Sequence, residues 1–225
     1  MKITDIKIYA AEYAQTSKSP TNKKWIFLKM ETDEGIHGWG EVGSSVNVSE
    51  NFMATAIKEV APQLIGENPM DIDRLWNKIF RMFSYMGSRG FTTSLTAGFD
   101  IALWDIKGKV SGLPVYDLLG GRYRDPVRLY CNAWFNGCFT PEEYANAAKI
   151  NVLENGHTAC KLDPFLEMTQ YHTMYQDGFI SEEGEQLGYD IVAAVRETVG
   201  PEIEILIDAH GHYNVPNAVR ISNNL

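Results

Sequence analysis

Two short runs in the second half of the chain set charged side chains where an apolar strand should end. One is Cys160-Lys161-Leu162-Asp163-Pro164 and the other is Glu204-Ile-Leu-Ile-Asp208-Ala-His210-Gly-His212. In the second, Ile203, Ile205, Leu206 and Ile207 form an apolar run rich in β-branched residues that reads as a strand buried on both faces. The run stops at a carboxylate and two imidazoles. Parallel strands of α/β proteins deliver ligand-binding groups at their carboxyl ends, where the loops open. A carboxylate there can hold a hard cation. A residue two positions further along a strand points to the same side, so Asp208 and His210 can face one substrate.

Lys161 and Asp163 share that two-residue spacing. A lysine at a buried strand end costs desolvation unless paired, and burial lowers its pKa towards the range of a general base. The bland alternative is a Lys–Asp pair that seals the strand. Packing alone gives little reason for two consecutive strands to end in charged groups, which favours a site.

Other motifs carry less. Gly38-Trp-Gly40-Glu-Val-Gly43 matches the G-x-G-x-x-G dinucleotide fingerprint, which has meaning only between a strand and the helix it opens. Here it falls on the return strand of a hairpin, so the glycines mark a twisted or closely approached strand. His37, His157 and His172 stand alone, as surface or locally bonded residues. Trp76, Phe80 and Phe83 recur at helical spacing and read as core. Lys18, Lys23, Lys24 and Arg89 lie in polar or glycine-flanked segments and could hold a substrate carboxylate, although such residues are more often solvated. Residues 165–184 form a long connection, aromatic and acidic through Tyr171, Tyr175, Phe179, Glu182 and Glu183. Connections of that length tend to be functional. It suits a cover over a site, and an irregular surface insertion fits equally.

These residues need elements to position them. Residues 1–43 read as a meander: a strand over 2–13, a polar loop, a strand over 25–31, a tight turn at Thr32-Asp-Glu-Gly35 and an antiparallel return over 36–42. Helical periodicity follows over 51–60, 71–85 and 92–110, and Ser111-Gly-Leu-Pro114 ends the last of these. Beyond Pro126 strands are expected over 127–133, 156–162 and 203–207, alternating with helices over 141–154, 185–199 and from 215. That alternation is the pattern of a parallel sheet or barrel. Three such units do not close a barrel, so the expectation is the front part of a longer chain.

The bulk properties exclude several function classes. The chain has 225 residues, 44% of them hydrophobic, and a formal charge of −9, which argues against nucleic acid or an anionic membrane as partner. No window approaches the roughly 20 apolar residues of a membrane span, and the N-terminus lacks the apolar region of a signal peptide. Cys131, Cys138 and Cys160 are odd in number and lack metal-finger spacing, as expected for reduced thiols in the cytoplasm. The Asn47-Val-Ser49 sequon is then accidental.

The run Phe99-Asp-Ile-Ala-Leu-Trp-Asp-Ile-Lys-Gly-Lys109 is followed by Gly112-Leu-Pro-Val-Tyr116 and Leu118-Leu-Gly-Gly121. Together with the strand end at 208–212, it resembles the enolase superfamily, in its mandelate racemase/muconate lactonizing enzyme-like branch. Within that branch the likeness is to acid-sugar dehydratases of the galactonate type. The resemblance runs the length of the chain. It implies an α+β capping domain over residues 1–125, followed over 126–225 by the first three βα units of a (β/α)8 TIM-type barrel, incomplete as it stands. It also implies a Mg2+ ion that stabilises the enediolate formed when the proton α to a carboxylate is removed.

By position, Asp208 is then a metal ligand, His210 the acid/base that helps the β-hydroxyl leave, and Lys161 the second-strand lysine of the catalytic group. Asp163, His212, Lys24 and Arg89 become substrate contacts. The implied reaction is dehydration of an aldonate or aldarate to a 2-keto-3-deoxy acid by a cytoplasmic homo-oligomer. Many relatives carry K-x-K on the second strand where this chain has Asp163. That departure weakens a racemase or cycloisomerase reading and leaves open whether Lys161 is a base; a racemase or epimerase of a hydroxy acid in the same superfamily stays as the alternative. The family's other metal ligands come from later barrel strands, so a non-catalytic fragment is the further alternative.

Overall fold

The structure, a computed structural model, describes residues 1–12, 24–43, 50–87, 89–165, 175–176 and 178–225. Lys18, Lys23, Asn47, Tyr171 and His172 lie outside the described residues. The chain divides into two compact units, Met1–Asp125 and Pro126–Leu225.

In the first unit, β1 (Ile3–Glu12), β2 (Lys24–Thr32) and β3 (His37–Val42) form an antiparallel sheet in that order. The turn from β2 to β3 closes with Gly35 N–H donating to Thr32 O at 3.2 Å, and Gly35 takes the left-handed φ of 79° that the turn demands. Alternation along β2 sends Ile26, Leu28 and Met30 inward. They meet three helices: α1 (Glu50–Val60), α2 (Ile72–Met82) and α3 (Phe91–Ser111). Leu95, Phe99, Ala102, Leu103 and Ile106 give α3 its buried stripe. Gly112, at φ 65°, ends it, and α4 (Val115–Leu118) follows Pro114.

Of the three aromatics expected in the core, only Phe83 is buried there; Phe80 is half-buried outside the core cluster and Trp76 is exposed. Ile72, Leu75 and Ile79 are buried on α2, with Phe83 just beyond it, but Trp76 is 37% exposed. It stacks on the ring of Phe80 at 4.9 Å instead. The apolar stripe of α2 is narrower than its aromatic content suggests, and the indole rides its edge.

The second unit is built on two parallel neighbours, β4 (Ala159–Leu162) and β7 (Glu204–Ile207), with Lys161 opposite Leu206. Between Thr140 and β4 run α5 (Pro141–Ala148) and a π-helical turn, Lys149–Leu153. Thr140 and Glu143 form a reciprocal capping box at the start of α5. After β4 come β5 (Tyr175–Gln176), β6 (Phe179–Ile180) and α6 (Glu182–Val199); α7 (Val215–Asn224) follows β7. Tyr144, Ala148, Val152, Cys160, Leu162, Ile191 and Val195 make the core, with Trp134 and Phe135 on it.

Three expectations need correction here. The strand expected over 127–133 is only a single bridge at Cys131, whose N–H donates to Ala159 O at 2.9 Å and whose O accepts from Lys161 N–H at 2.8 Å. Val127 and Leu129 are 67% and 76% exposed, so no apolar face anchors the segment, and Ala133 breaks the extended run at φ 57°. Second, β7 is not buried on both faces. Ile205 and Ile207 pack on the core, while Leu206 is 38% exposed on the other face. Third, the connection expected over 165–184 holds the short β5–β6 hairpin, and α6 starts at Glu182 because Ser181 caps it. Among the described residues no helix is long and apolar enough to cross a membrane. All three cysteines are free thiols, Cys160 fully buried.

Candidate functional site

Because β4 and β7 are adjacent and parallel, their carboxyl ends open on the same side. The Asp208 N–H donates to Leu162 O at 3.1 Å, carrying the ladder one residue past β7. From this position Oδ2 of Asp208 accepts from Nζ of Lys161 at 2.8 Å. The same ammonium lies 3.8 Å from Oδ1 of Asp163.

His210 reaches Asp208 by a route other than strand alternation. The chain turns immediately after Asp208: the His210 N–H donates to Asp208 Oδ1 at 2.8 Å, and His210 and Gly211 take left-handed φ values of 48° and 69°. This carboxylate-capped turn brings Nδ1 of His210 to 3.4 Å from Asp208 Oδ1. The ring of His212 stands 6.3 Å away, edge-on to that of His210. The structure thus gathers Lys161, Asp163, Asp208 and His210, with His212 beside them. Arg89, exposed just ahead of α3, and Lys24, the first residue of β2, are carried by the first unit. The Lys24 side chain lies outside the described residues.

The electrostatics follow from the pairing. The hydrogen bond to Asp208 raises the Lys161 ammonium above its ordinary value and outweighs desolvation, which acts the other way. The lowering expected from burial alone does not occur, and Lys161 is a cation at neutral pH. The same bond, with the His210 N–H second, holds Asp208 below the usual carboxylate range. Asp163 is different. It is only 7% exposed, its Oδ1 has no hydrogen-bond partner, and burial pushes its carboxyl upward against the pull of Lys161.

This donor set fits a divalent cation. Asp163, Asp208 and His210 each offer one ligand atom, all within 4.8 Å of one another. A buried carboxylate oxygen without a donor is a ligand atom waiting for positive charge.

Two supporting residues are not singled out by the sequence. The indole N–H of Trp134 donates to the Lys161 carbonyl at 2.8 Å, fixing the strand from which the ammonium projects. The Tyr213 hydroxyl donates to the Phe165 carbonyl, tying the turn after β7 to the segment after β4. Tyr213 directly follows His212, so its place beside the site was open to view. Trp134 sits in an irregular stretch with no periodicity to mark it.

A three-stranded antiparallel sheet packed with helices, then parallel βα units with a Lys, two carboxylates and an imidazole at the strand ends, defines an enolase-superfamily capping domain and the first part of its (β/α)8 barrel. The chain belongs to the mandelate racemase/muconate lactonizing enzyme family: the N-terminal domain of that family matches residues 6–120, and the enolase C-terminal domain-like model matches residues 143–225. A D-galactonate dehydratase of Pectobacterium atrosepticum is 36% identical over 97% of this chain and 50% of its own. A D-gluconate dehydratase of Thermoproteus tenax is 34% identical over 90% of this chain and 39% of its own. Among solved structures, an enolase superfamily member from Salmonella Typhimurium superposes with a TM-score of 0.82 at 31% identity, covering 99% of this chain and 58% of that one. The chain spans about half the length of the curated relatives it matches.

Proposed function

We propose that this chain carries the cap and first barrel strands of an acid-sugar dehydratase, converting an aldonate or aldarate to a 2-keto-3-deoxy acid with Mg2+ as cofactor. The observation that carries the reading is the carboxylate-capped turn holding the His210 ring against Asp208, beside the charged Lys161. The similarity to proteins named D-galactonate and D-gluconate dehydratase supports it.

In this reading Asp208 would hold the divalent cation, which when bound supplies positive charge for a substrate carboxylate. Lys161, kept protonated by Asp208, adds a second positive charge where negative charge grows as the α proton leaves. His210 turns Nδ1 towards Asp208, which leaves Nε2 to protonate the departing β-hydroxyl. Loss of the α proton and of hydroxide as water gives an enol, and tautomerisation yields the 2-keto-3-deoxy acid. Asp163 and His212 flank the substrate. The reading takes 126–225 as the first three βα units of a barrel that further strands close, in a cytoplasmic homo-oligomer.

The test is to incubate the protein with a panel of aldonic and aldaric acids and Mg2+, assaying 2-keto-3-deoxy products. Product that disappears on chelation is expected. Deuterium wash-in at the α carbon without any keto product would sink the reading in favour of racemisation.

A further inference from the structure

The turn that carries His210 and His212 is held from outside itself. His210, at φ 48°, is a non-glycine residue in the left-handed region, and such backbone persists only where surrounding contacts over-determine it. The Asp208 carboxylate supplies one hold, and the His212 N–H, donating to Ala209 O at 2.9 Å, a second. The other holds come from the connection that follows β4. At its start the Phe165 carbonyl accepts from the Tyr213 hydroxyl. Near its end the Gly178 carbonyl, just ahead of β6, accepts twice: from the Asn214 N–H at 3.1 Å and from Nδ2 of Asn217 at 2.6 Å. Asn217 is only 3% exposed, and its own N–H donates to Oδ1 of Asn214, the residue that caps α7. Gly178 sits at φ 90°, and a Cβ there would lie 3.1 Å from the Asn214 nitrogen. The seat of the β5–β6 hairpin on the start of α7 therefore needs a glycine on one side and the Asn217 amide on the other.

We propose that Asn217 is a positioning residue for His210: through the Gly178 carbonyl it latches the start of α7 to the β5–β6 hairpin, and so fixes the turn from which the imidazole projects. The proposal rests on the reading of His210 as the acid that protonates the leaving hydroxyl. The action runs along the main chain. Asn217 holds Gly178, Gly178 holds Asn214, and Asn214 closes the turn that Asp208 begins. A proton donor displaced by about 1 Å loses much of its effect, on the order of 10²-fold. Lys161 and Asp208 are placed differently. Both are bonded into the β4–β7 ladder, Asp208 through its N–H to Leu162 O, and keep their places when the latch opens. Opening it therefore acts on turnover more than on substrate binding.

The experiment pairs hydrogen exchange, read by mass spectrometry on the whole protein, with steady-state kinetics on D-galactonate or D-gluconate with Mg2+. Asn217→Ala speeds exchange over residues 209–214 by about tenfold or more, while β4 and the body of α6 keep wild-type rates. It lowers kcat by about 10–100-fold and leaves KM within about threefold. Asn217→Gln, which keeps the donor, recovers part of both losses. Gly178→Ala opens the same latch from the hairpin side, and the double variant is no worse than either single one. In a His210→Asn background Asn217→Ala lowers kcat no further, a result that general loosening of the fold would not give. Wild-type exchange over 209–214 in Asn217→Ala overturns the proposal, as does acceleration spread evenly through β4 and α6. An undiminished kcat loss in the His210→Asn background also overturns it. Absence of product from wild type defeats the dehydratase reading alone; the exchange pattern then upholds or overturns the latch by itself.

Discussion

Gly40 on β3 and Gly98 on α3 meet backbone to backbone: a Cβ built on Gly40 would fall inside the carbonyl oxygen of Gly98. Gly38 makes the same approach to the carbonyl of Ala102 one turn further along the helix. Two of the three glycines that imitate a dinucleotide fingerprint, Gly38 and Gly40, are there so that a helix can lie directly on a strand. Gly40→Ala is expected to cost about 1–3 kcal/mol or more through overpacking against main chain that cannot yield. Urea denaturation of the variant checks it, and a stability equal to wild type would refute the close approach.

Glu67 anchors the start of β1. Its carbonyl accepts from the Ile3 N–H at 2.9 Å, while its carboxylate accepts from Arg74 and from Lys78, each at 2.7 Å. Those two cations lower its pKa to about 2. The folded value lies below the ordinary value of about 4.3, so the stabilisation is complete above that pH and fades as pH falls towards the folded value. Thermal melts of Glu67→Gln should therefore run below wild type at pH 6, with the gap closing as the pH approaches 2. A gap independent of pH would show that the carboxylate's charge is not involved.

His210→Asn is expected to keep the fold and lose the chemistry. Asparagine tolerates the left-handed backbone that residue 210 adopts, so the melting temperature should barely move. If the proposed dehydration holds, turnover of a sugar acid should fall by about 10²–10⁴-fold, the usual contribution of a general acid. Steady-state kinetics beside a melting curve separate the two effects.

Trp134→Phe keeps the ring in the core but removes the donor to the Lys161 carbonyl. A cost of about 1–3 kcal/mol is expected for stranding that acceptor. Because the lost bond sits on β4 itself, amide exchange should accelerate at Lys161 and Leu162 before it does in α6.

Periodicity made most of the framework legible. The meander of β1–β3, the three helices after it and the strands β4 and β7 all follow from alternation, from three- and four-residue spacing, and from Gly and Pro at the breaks. What escaped depended on long-range partners. Trp76 looked like core because spacing cannot report how wide a helix's contact stripe is. The segment around Cys131 looked like a strand because Val127 and Leu129 have the right residue types, although only Cys131 finds a ladder partner. At the site, the residue types of Lys161, Asp208 and His210 were readable. Their geometry was not, since the meeting of Asp208 and His210 depends on a left-handed turn, and the charge state of Lys161 depends on a partner 47 positions away.

The π-helical turn after α5 has a consequence for insertions and deletions. There the Glu154 N–H reaches back to Lys149 O, five residues away, so this turn holds one residue more than an α-helix would. Losing one codon between positions 149 and 153 would restore regular helix bonding, and helix propensity alone would favour the shorter gene product. Every later residue of the turn would then rotate by about 100°, carrying the fully buried Val152 out of the core and forcing β4 to begin from a displaced end. Deletion scanning should therefore find this exposed-looking segment intolerant of a change in length, even where it accepts a change of residue.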